Sequence, residues 1–266
     1  MTTQQEDFTK DPKNYRGAVG PAEIYDVQGA TQFNLLTLLG LREHNFLLDI
    51  GCGSLRSGKL FIPYLLQGKY YGIEPNKVLI EQGIKQEICQ ELIDIKQPHF
   101  SNDSNFSLTT FNQSFDFILA QSIFSHASQA QIKRCFSEAK KVMKKNCIFA
   151  ATFVKGEENY TGDEWVYPGV TTYTLERMKE LAESEGLTCQ PIDWPHPNLQ
   201  SWILILQPDR EESIPELTNT SKLLTLEREL KVCRARVAKM EKNPYIQLAM
   251  KISRKVEQFK GKLSPK

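Results

Sequence analysis

The chain has 266 residues, is 40% hydrophobic and carries a formal net charge of +1, values typical of a globular protein with a substantial core. Such a balanced charge argues against bulk attraction of the whole chain to nucleic acid. No two of the six cysteines have C-x-x-C spacing, so neither a zinc ribbon nor a redox pair is indicated, and we predict no metal site. The polar N-terminus lacks the apolar segment of a signal peptide, and no apolar stretch is long enough for a membrane span, so we predict a reduced, cytoplasmic protein.

Charge divides the chain unevenly. Residues 211–266 contain 13 Lys or Arg against 7 Asp or Glu, a net of +6, which leaves a net of −5 for the remainder. This shift marks the C-terminal stretch as a segment of a different kind. We therefore predict an N-terminal extension over 1–30, a folded domain over 31–208 and a helical tail over 209–266. Residues 1–20 are expected to be loosely attached or disordered.

The predicted elements of the central part alternate between strands and helices. Short apolar runs predict strands near 46–50, 70–74, 99–100, 115–120, 147–154, 188–194 and 201–207. Helical periodicity, with caps at Ser128 and Thr174, predicts helices near 31–39, 57–66, 76–93, 128–144 and 174–186. This order predicts an α/β fold with a seven-stranded, mostly parallel sheet between helical layers. The last two strands have no helix between them, so we expect an antiparallel hairpin at one edge.

The tail shows a heptad pattern. Apolar residues spaced 3, 4, 3, 4 and 3 apart form a short a/d seam of Leu223, Leu226, Leu230, Cys233, Val237 and Met240. A basic amphipathic helix is predicted to follow Pro244. Residues 223–260 could therefore join two copies of the chain as a coiled coil, or the basic helix could lie on an anionic membrane surface.

The segment with the clearest chemical meaning is LLDIGCGSLRSG at 47–58, where a strand enters a glycine turn and a helix leaves it. Gly51 and Gly53 fit a dinucleotide fingerprint, but the third glycine position holds Arg56. Asp49, at the end of the strand, would repel a pyrophosphate. The same carboxylate would attract a ligand with an ammonium and a sulfonium, such as S-adenosylmethionine, so an NAD-dependent oxidoreductase is disfavoured. Twenty-one residues after Gly53, Glu74 ends the second strand, where it can accept hydrogen bonds from ribose hydroxyls.

Taken together, LLDIGCGSLRSG, YYGIEPN and FDFILAQSIFSHAS resemble the class I S-adenosylmethionine-dependent methyltransferases over about residues 30–208. The resemblance implies a Rossmann-like three-layer sandwich, S-adenosylmethionine as cofactor and an activity of class EC 2.1.1.-. It also implies roles for nine residues. The methionine part would contact Asp49, Gly51, Cys52 and Gly53, the ribose Glu74, the adenine Asn102 or Asp103, and the methyl-transfer pocket would be lined by Gln121 or Ser122.

Residues for the acceptor are less clearly marked. A histidine has a pKa suited to general base catalysis, and we single out His126, with Asp193 and His196 as alternatives. The loop YTGDEWVYPG is long for a mere connection, so its aromatic residues are candidates for a substrate pocket. The predicted pocket residues are Trp165, Tyr167, Trp194 and His196. We expect a small or medium-sized acceptor, methylated at a hydroxyl under the loop 155–172.

Two alternatives stay open. The chain could bind S-adenosylmethionine without turnover and act as a scaffold through its C-terminal helices. The basic tail could also contact nucleic acid, although positive charge alone is unspecific and the sequence contains no clear nucleic-acid motif.

Overall fold

The computed structural model describes residues 14–215, 217, 229–237, 239 and 240. It divides the chain into two compact units, 1–218 and 219–266. The strands of the first unit are β1 (Leu47–Ile50), β2 (Tyr70–Ile73), β3 (His99–Ser101), β4 (Phe115–Ala120), β5 (Met143–Lys155), β6 (Thr172–Tyr173), β7 (Thr188–Ile192) and β8 (Ser201–Leu206).

One mixed sheet organises this unit, with strand order β3-β2-β1-β4-β5-β8-β7. The five strands from β3 to β5 run parallel, whereas β8 is antiparallel to both β5 and β7. The two-residue strand β6 lies off this path and pairs with the end of β5. The predicted seven-stranded, mostly parallel sheet with an antiparallel edge hairpin is therefore confirmed.

Helices flank the sheet. They are α1 (Tyr25–Leu38), α2 (Gly58–Tyr64), α3 (Lys77–Gly83), α4 (Gln90–Lys96), α5 (Gln129–Val142) and α6 (Leu175–Ser184). The predicted cap of α5 is a complete capping box, in which Ser128 Oγ accepts the Gln131 N–H and Gln131 Oε1 accepts the Ser128 N–H. At α6 the Thr174 hydroxyl likewise accepts the Arg177 N–H. Both helices bury one apolar face against the strands.

Some of the predictions differ from the structure. Helix α1 begins at Tyr25, six residues early, because its buried inner face includes Gln28, Gly29 and Gln32 and hides the apolar period. The single helix predicted over 76–93 is instead α3, a π-helical turn (Ile84–Ile88) and α4, separated at Cys89, whose φ is 117°. Residues 14–20 are not loosely attached, since they pack against the first glycine turn.

Among residues of the second unit, 229–237, 239 and 240 are helical, and Leu230, Val237 and Met240 are exposed there. Cys233 of the seam is exposed as well. The other two seam positions, Leu223 and Leu226, lie outside the described residues, as does all of 241–260. Association of 223–260 with a second copy or a membrane surface therefore stays a prediction. None of the helices that the structure describes is long and apolar enough to span a membrane.

Candidate active site

The glycine turn after β1 lies at the carboxyl end of the sheet, where open α/β folds bind ligands. Gly51 and Gly53 have φ values of 72° and 55°, which L side chains rarely adopt. A Cβ on Gly51 would lie 2.0 Å from Ile123 Cδ1, and one on Gly53 would lie 2.6 Å from Val19 Cγ1. The N–H groups of Gly51 and Cys52 both donate to the Ile73 carbonyl, at 2.7 and 3.0 Å. The turn is thus both left-handed and tightly enclosed.

Glu74 connects the second strand to this turn. Its Oε2 accepts the Gly53 N–H at 3.1 Å, and its Oε1 accepts the Asn76 N–H at 2.9 Å. Burial raises the pKa of Glu74 to about 7, and the nearby charge of Asp49 acts in the same direction, although the two backbone hydrogen bonds oppose them. The predicted ribose-binding residue therefore also supports the turn at which the ligand would sit.

Asp49 and Arg56 place opposite charges at the same turn. The Asp49 side chain is buried, and its Oδ2 accepts hydrogen bonds from Ser57 Oγ at 2.9 Å and from the Tyr70 hydroxyl at 2.8 Å. Burial raises the pKa of Asp49, whereas those two hydroxyls and the charge of Arg56 lower it. Both residues line a small cavity together with Gly51, Gly53 and Gln121.

Arg56 is a buried cation whose side chain donates to two neutral groups. Its Nη1 donates to the Val19 carbonyl at 2.6 Å, and its Nη2 donates to Gln121 Oε1. No hydrogen-bond partner within the described part of the chain reaches its Nε. Burial lowers the pKa of Arg56 to about 10 against the favourable charge of Asp49. Since a buried charge is stable only when it is paired, this guanidinium is suited to a ligand carboxylate.

Gln121, after β4, lies at the centre of a buried polar cluster. Its Oε1 also accepts from Gln32 Nε2 at 2.8 Å, and its Nε2 donates to Ser122 Oγ at 2.6 Å. Gln200 Nε2 donates to the same hydroxyl at 2.8 Å. Ser122 has a φ of 60° and donates its N–H to Thr152 Oγ1. Both residues predicted for the methyl-transfer pocket therefore lie beside the glycine turn, with fixed side chains.

His196 belongs to this cluster. The N–H groups of Asn198 and Gln200 point at its Nδ1, at 3.2 and 3.4 Å. Its Nε2 lies 2.6 Å from Gln121 Nε2 and 3.3 Å from Gln28 Nε2. Polar groups therefore hold the buried ring at both of its nitrogens.

The hydrogen-bond partners of His126 define its tautomer. Its Nδ1 lies 2.9 Å from the Val166 carbonyl and 2.8 Å from the Gly169 carbonyl, and carbonyl oxygens can only accept. Nδ1 therefore carries the proton, and Nε2 of the neutral ring keeps a lone pair. The Val166 N–H returns a hydrogen bond to the His126 carbonyl at 2.8 Å. This arrangement provides a half-buried, oriented base.

Two of the four predicted pocket residues lie beside His126. The rings of Trp165 and Tyr167 are centred 5.6 and 5.2 Å from the imidazole, and each side chain is 37% exposed. By contrast, Trp194 is 1% exposed and donates its indole N–H to the Thr31 carbonyl, so the structure places it in the core. His196 lies on the Gln121 side of the site. The structure therefore divides the predicted pocket into an exposed aromatic group and a buried polar group.

The residues predicted for adenine follow β3. Asn102 Nδ2 donates to the Glu74 carbonyl at 2.8 Å, which places it at the glycine-turn edge of the sheet. Asp103 Oδ1 accepts the N–H groups of Asn105, at 2.8 Å, and Ser107, at 2.7 Å. Although burial opposes them, these bonds lower the pKa of Asp103. Asp103 shapes its own loop, and contact of either residue with adenine stays a prediction.

Sequence reasoning missed Arg56, Gln32 and residues 14–20 as parts of this site. Arg56 was noted only as a departure from a dinucleotide fingerprint, yet an arginine in the short turn between a buried strand and an apolar helix was a signal of a buried charge. In the described part of the chain, no group of three or more His, Cys, Asp or Glu could hold a metal ion.

Comparison with known proteins agrees with this geometry. A family model described as a methyltransferase domain matches residues 48–149. The magnesium protoporphyrin IX methyltransferase of Synechocystis PCC 6803, crystallised with bound SAH, has 12% identity and a TM-score of 0.54, over 76% of this chain and 94% of its own. DesVI of Streptomyces venezuelae has 10% identity and a TM-score of 0.54, over 74% and 98%. A SAM-dependent methyltransferase of Aquifex aeolicus has 17% identity and a TM-score of 0.51, over 73% and 97%.

No curated protein matches the sequence of this chain. At these identities the structural likeness establishes the fold, and the methyltransferase-domain model independently matches residues 48–149. The predicted resemblance to the class I methyltransferases is therefore confirmed. The predicted cofactor agrees with neighbours crystallised with SAM or SAH.

Proposed function

We propose that this chain, which has the class I methyltransferase fold, is an S-adenosylmethionine-dependent methyltransferase that acts on a hydroxyl of a small or medium-sized acceptor. The observation that carries the proposal is the pair of opposite charges, Asp49 and Arg56, lining one cavity at the glycine turn. The methionine part of the cofactor carries an ammonium and a carboxylate, so the pair matches its two charges.

The residues present fit the cofactor. Asp49 would attract the ammonium by a few kcal/mol at an effective dielectric of about 20. Arg56, whose Nε lacks a partner in the described chain, would gain a charge-assisted hydrogen bond from the carboxylate. Glu74 would accept from the ribose hydroxyls. Glu74 also accepts the Gly53 N–H, and this hydrogen bond fixes the position of the ribose subsite relative to the glycine turn.

The acceptor subsite is the exposed aromatic group formed by His126, Trp165 and Tyr167. Trp165 and Tyr167 offer half-exposed ring faces on which an apolar or ring-shaped molecule can pack. The Tyr167 hydroxyl donates to the Ala18 carbonyl at 3.0 Å, and the next residue, Val19, packs against Gly53. The aromatic group is therefore connected to the glycine turn through residues 18 and 19.

Bound S-adenosylmethionine supplies a methyl group already activated by its sulfonium, so the protein mainly has to hold the acceptor oxygen in line with it. His126 takes the hydroxyl proton at Nε2, because Nδ1 already donates to the Val166 and Gly169 carbonyls. This tautomer favours an enzyme over a scaffold without turnover, since a scaffold has no need of an oriented base.

Transfer of radiolabelled methyl from S-adenosylmethionine to a panel of phenols, sugars, amines, tRNA and DNA tests the proposal. We expect incorporation into a hydroxyl-bearing small molecule, lost in His126→Gln and kept in His44→Gln, whose histidine is exposed. Labelling of tRNA or DNA alone would contradict the acceptor class. Tight binding of S-adenosylhomocysteine with no turnover on any acceptor would favour the scaffold.

A further inference from the structure

Residues 14–20, here called the N-terminal strap, cross the glycine turn. Val19 Cγ1 lies 2.6 Å from the position a Cβ would take on Gly53, and the Val19 carbonyl accepts from Arg56. The neighbouring Ala18 carbonyl accepts the Tyr167 hydroxyl at 3.0 Å. The strap is therefore one wall of the cofactor cavity, and it also contacts the loop that carries the acceptor subsite.

The strap is fastened at Glu87, a residue in the π-helical turn (Ile84–Ile88). The Glu87 side chain is only 5% exposed and accepts from the Tyr15 hydroxyl at 2.7 Å and from Arg16 Nη2 at 2.6 Å. Lys59 Nζ, on α2, binds the other carboxylate oxygen at 2.8 Å. Although burial alone would raise it, these partners hold the pKa of Glu87 below its usual value. One ionised carboxylate thus joins the strap to the helix that leaves the glycine turn.

A second contact aligns the strap with the turn. The Arg16 guanidinium lies 4.7 Å from the centre of the Tyr25 ring, and the Tyr25 hydroxyl donates to the Ser54 carbonyl at 2.8 Å. Ser54 directly follows Gly53. Movement of Arg16 away from Glu87 would therefore disturb both the strap and the backbone of the turn.

The strap covers the cavity at the glycine turn. Val19, on the strap, lines this cavity together with Asp49, Arg56 and Gln121. A ligand held there would lie under Val19, so we expect the strap to move outward whenever such a ligand is taken up or released. Arg56 would move with it, because its Nη1 donates to the Val19 carbonyl.

We propose that Glu87 is a positioning residue that holds the N-terminal strap over the cofactor, so that breaking its contacts with Tyr15 and Arg16 sets the rate of cofactor exchange. The inference rests on the proposed function. Glu87 does not line the cavity, and it acts through Arg16, Tyr15 and Lys59.

The test compares Glu87→Gln with Glu81→Gln, which alters an exposed carboxylate that pairs with exposed Lys77 on α3. Two quantities are measured on the full chain: backbone hydrogen exchange over 14–20 without ligand, and the dissociation rate of S-adenosylhomocysteine by stopped flow. In Glu87→Gln we expect exchange to rise in the strap and dissociation to become about tenfold faster, as for the loss of charged hydrogen bonds. Glu81→Gln should match the wild type in both.

Arg16→Gln is a second variant for the case that Glu87→Gln does not fold. It is the milder change, because the Arg16 side chain is 34% exposed and lies on the strap itself. It should reproduce both effects. Wild-type exchange and release in both variants would overturn the proposal, as would faster exchange with unchanged release. If the wild type bound no S-adenosylhomocysteine, the proposed function would fail with it, whereas the exchange comparison would still show whether Glu87 fastens the strap.

Discussion

Comparing Gly53→Ala with Gly68→Ala separates the cost of backbone strain from the effect of a steric clash at the cofactor site. Gly53 has a φ of 55°, and Gly68, at a turn before β2, has a φ of 68°. An L residue in this left-handed region costs about 1–2 kcal/mol at either position. A Cβ on Gly68 would meet only His99 Nε2 at an ordinary 3.8 Å, whereas one on Gly53 would lie 2.6 Å from Val19 Cγ1. Gly68→Ala is therefore a matched control for strain alone.

Gly68→Ala should lose the stability that strain alone costs, and Gly53→Ala should lose at least as much, because its Cβ also forces Val19 to move. For a domain of about 150 to 250 residues, 1–2 kcal/mol lowers Tm by about 2 to 8 °C, which differential scanning calorimetry resolves. Only Gly53→Ala should also lose affinity for S-adenosylhomocysteine, by at least about tenfold or 1.4 kcal/mol, because its methyl group displaces Val19 at the cavity wall. Equal loss of affinity in Gly68→Ala, or unchanged affinity in Gly53→Ala, would refute the assignment of the turn as the cofactor site.

Three further changes have defined outcomes. Burial raises the pKa of Glu74 from 4.5 to about 7, so between these values the folded chain retains a proton that the unfolded chain releases. The contribution of Glu74 to stability is therefore complete below pH 4.5, falls as the pH rises towards 7 and is constant above it. Glu74→Gln should remove this part of the Tm–pH profile, and an unchanged profile would contradict the assignment. The affinity for S-adenosylhomocysteine should rise through about pH 7 in the wild type, because the ionised carboxylate is the better acceptor, and this rise should be absent in Glu74→Gln. His126→Gln should lower kcat by about 10²–10⁴-fold with an unchanged Kd for S-adenosylhomocysteine in calorimetry, and a kcat within twofold of the wild type would exclude it as the base. Trp165→Ala should raise the KM for the acceptor while the Kd for the cofactor product stays constant, and the reverse pattern would place Trp165 at the cofactor instead.

The sheet could be predicted because its strands are buried apolar runs. Leu47 to Ile50 and Phe115 to Ala120 are nearly all buried, as continuous hydrophobic runs in a parallel sheet should be. The missing helix between β7 and β8 likewise predicted the antiparallel edge. Helix α1 was harder to delimit, because part of its buried face consists of glutamines that serve the site rather than the core.

The part of the candidate site that could be predicted consists of residues whose type and position after a strand indicate a ligand-binding role. The glycines, Asp49 and Glu74 follow strand ends, and their positions alone indicate a ligand edge. Arg56 and the N-terminal strap could not be found in this way, because their importance comes from contacts between residues far apart in the sequence, such as Arg56 with Val19 and Glu87 with Arg16. Trp194 is an opposite case, because it was predicted to line a pocket and is buried in the core. The sequence does not distinguish these two roles for an aromatic residue in a loop.

Calorimetric titration of S-adenosylhomocysteine into the wild type, Asp49→Asn and Arg56→Met tests the central claim most directly. Matched controls are Asp94→Asn and Arg236→Met, whose side chains are exposed. We predict one molecule bound per chain, at least tenfold weaker binding in both site variants and unchanged binding in both controls. Absence of binding to the folded wild type, or wild-type affinity in Asp49→Asn and Arg56→Met, would contradict the account.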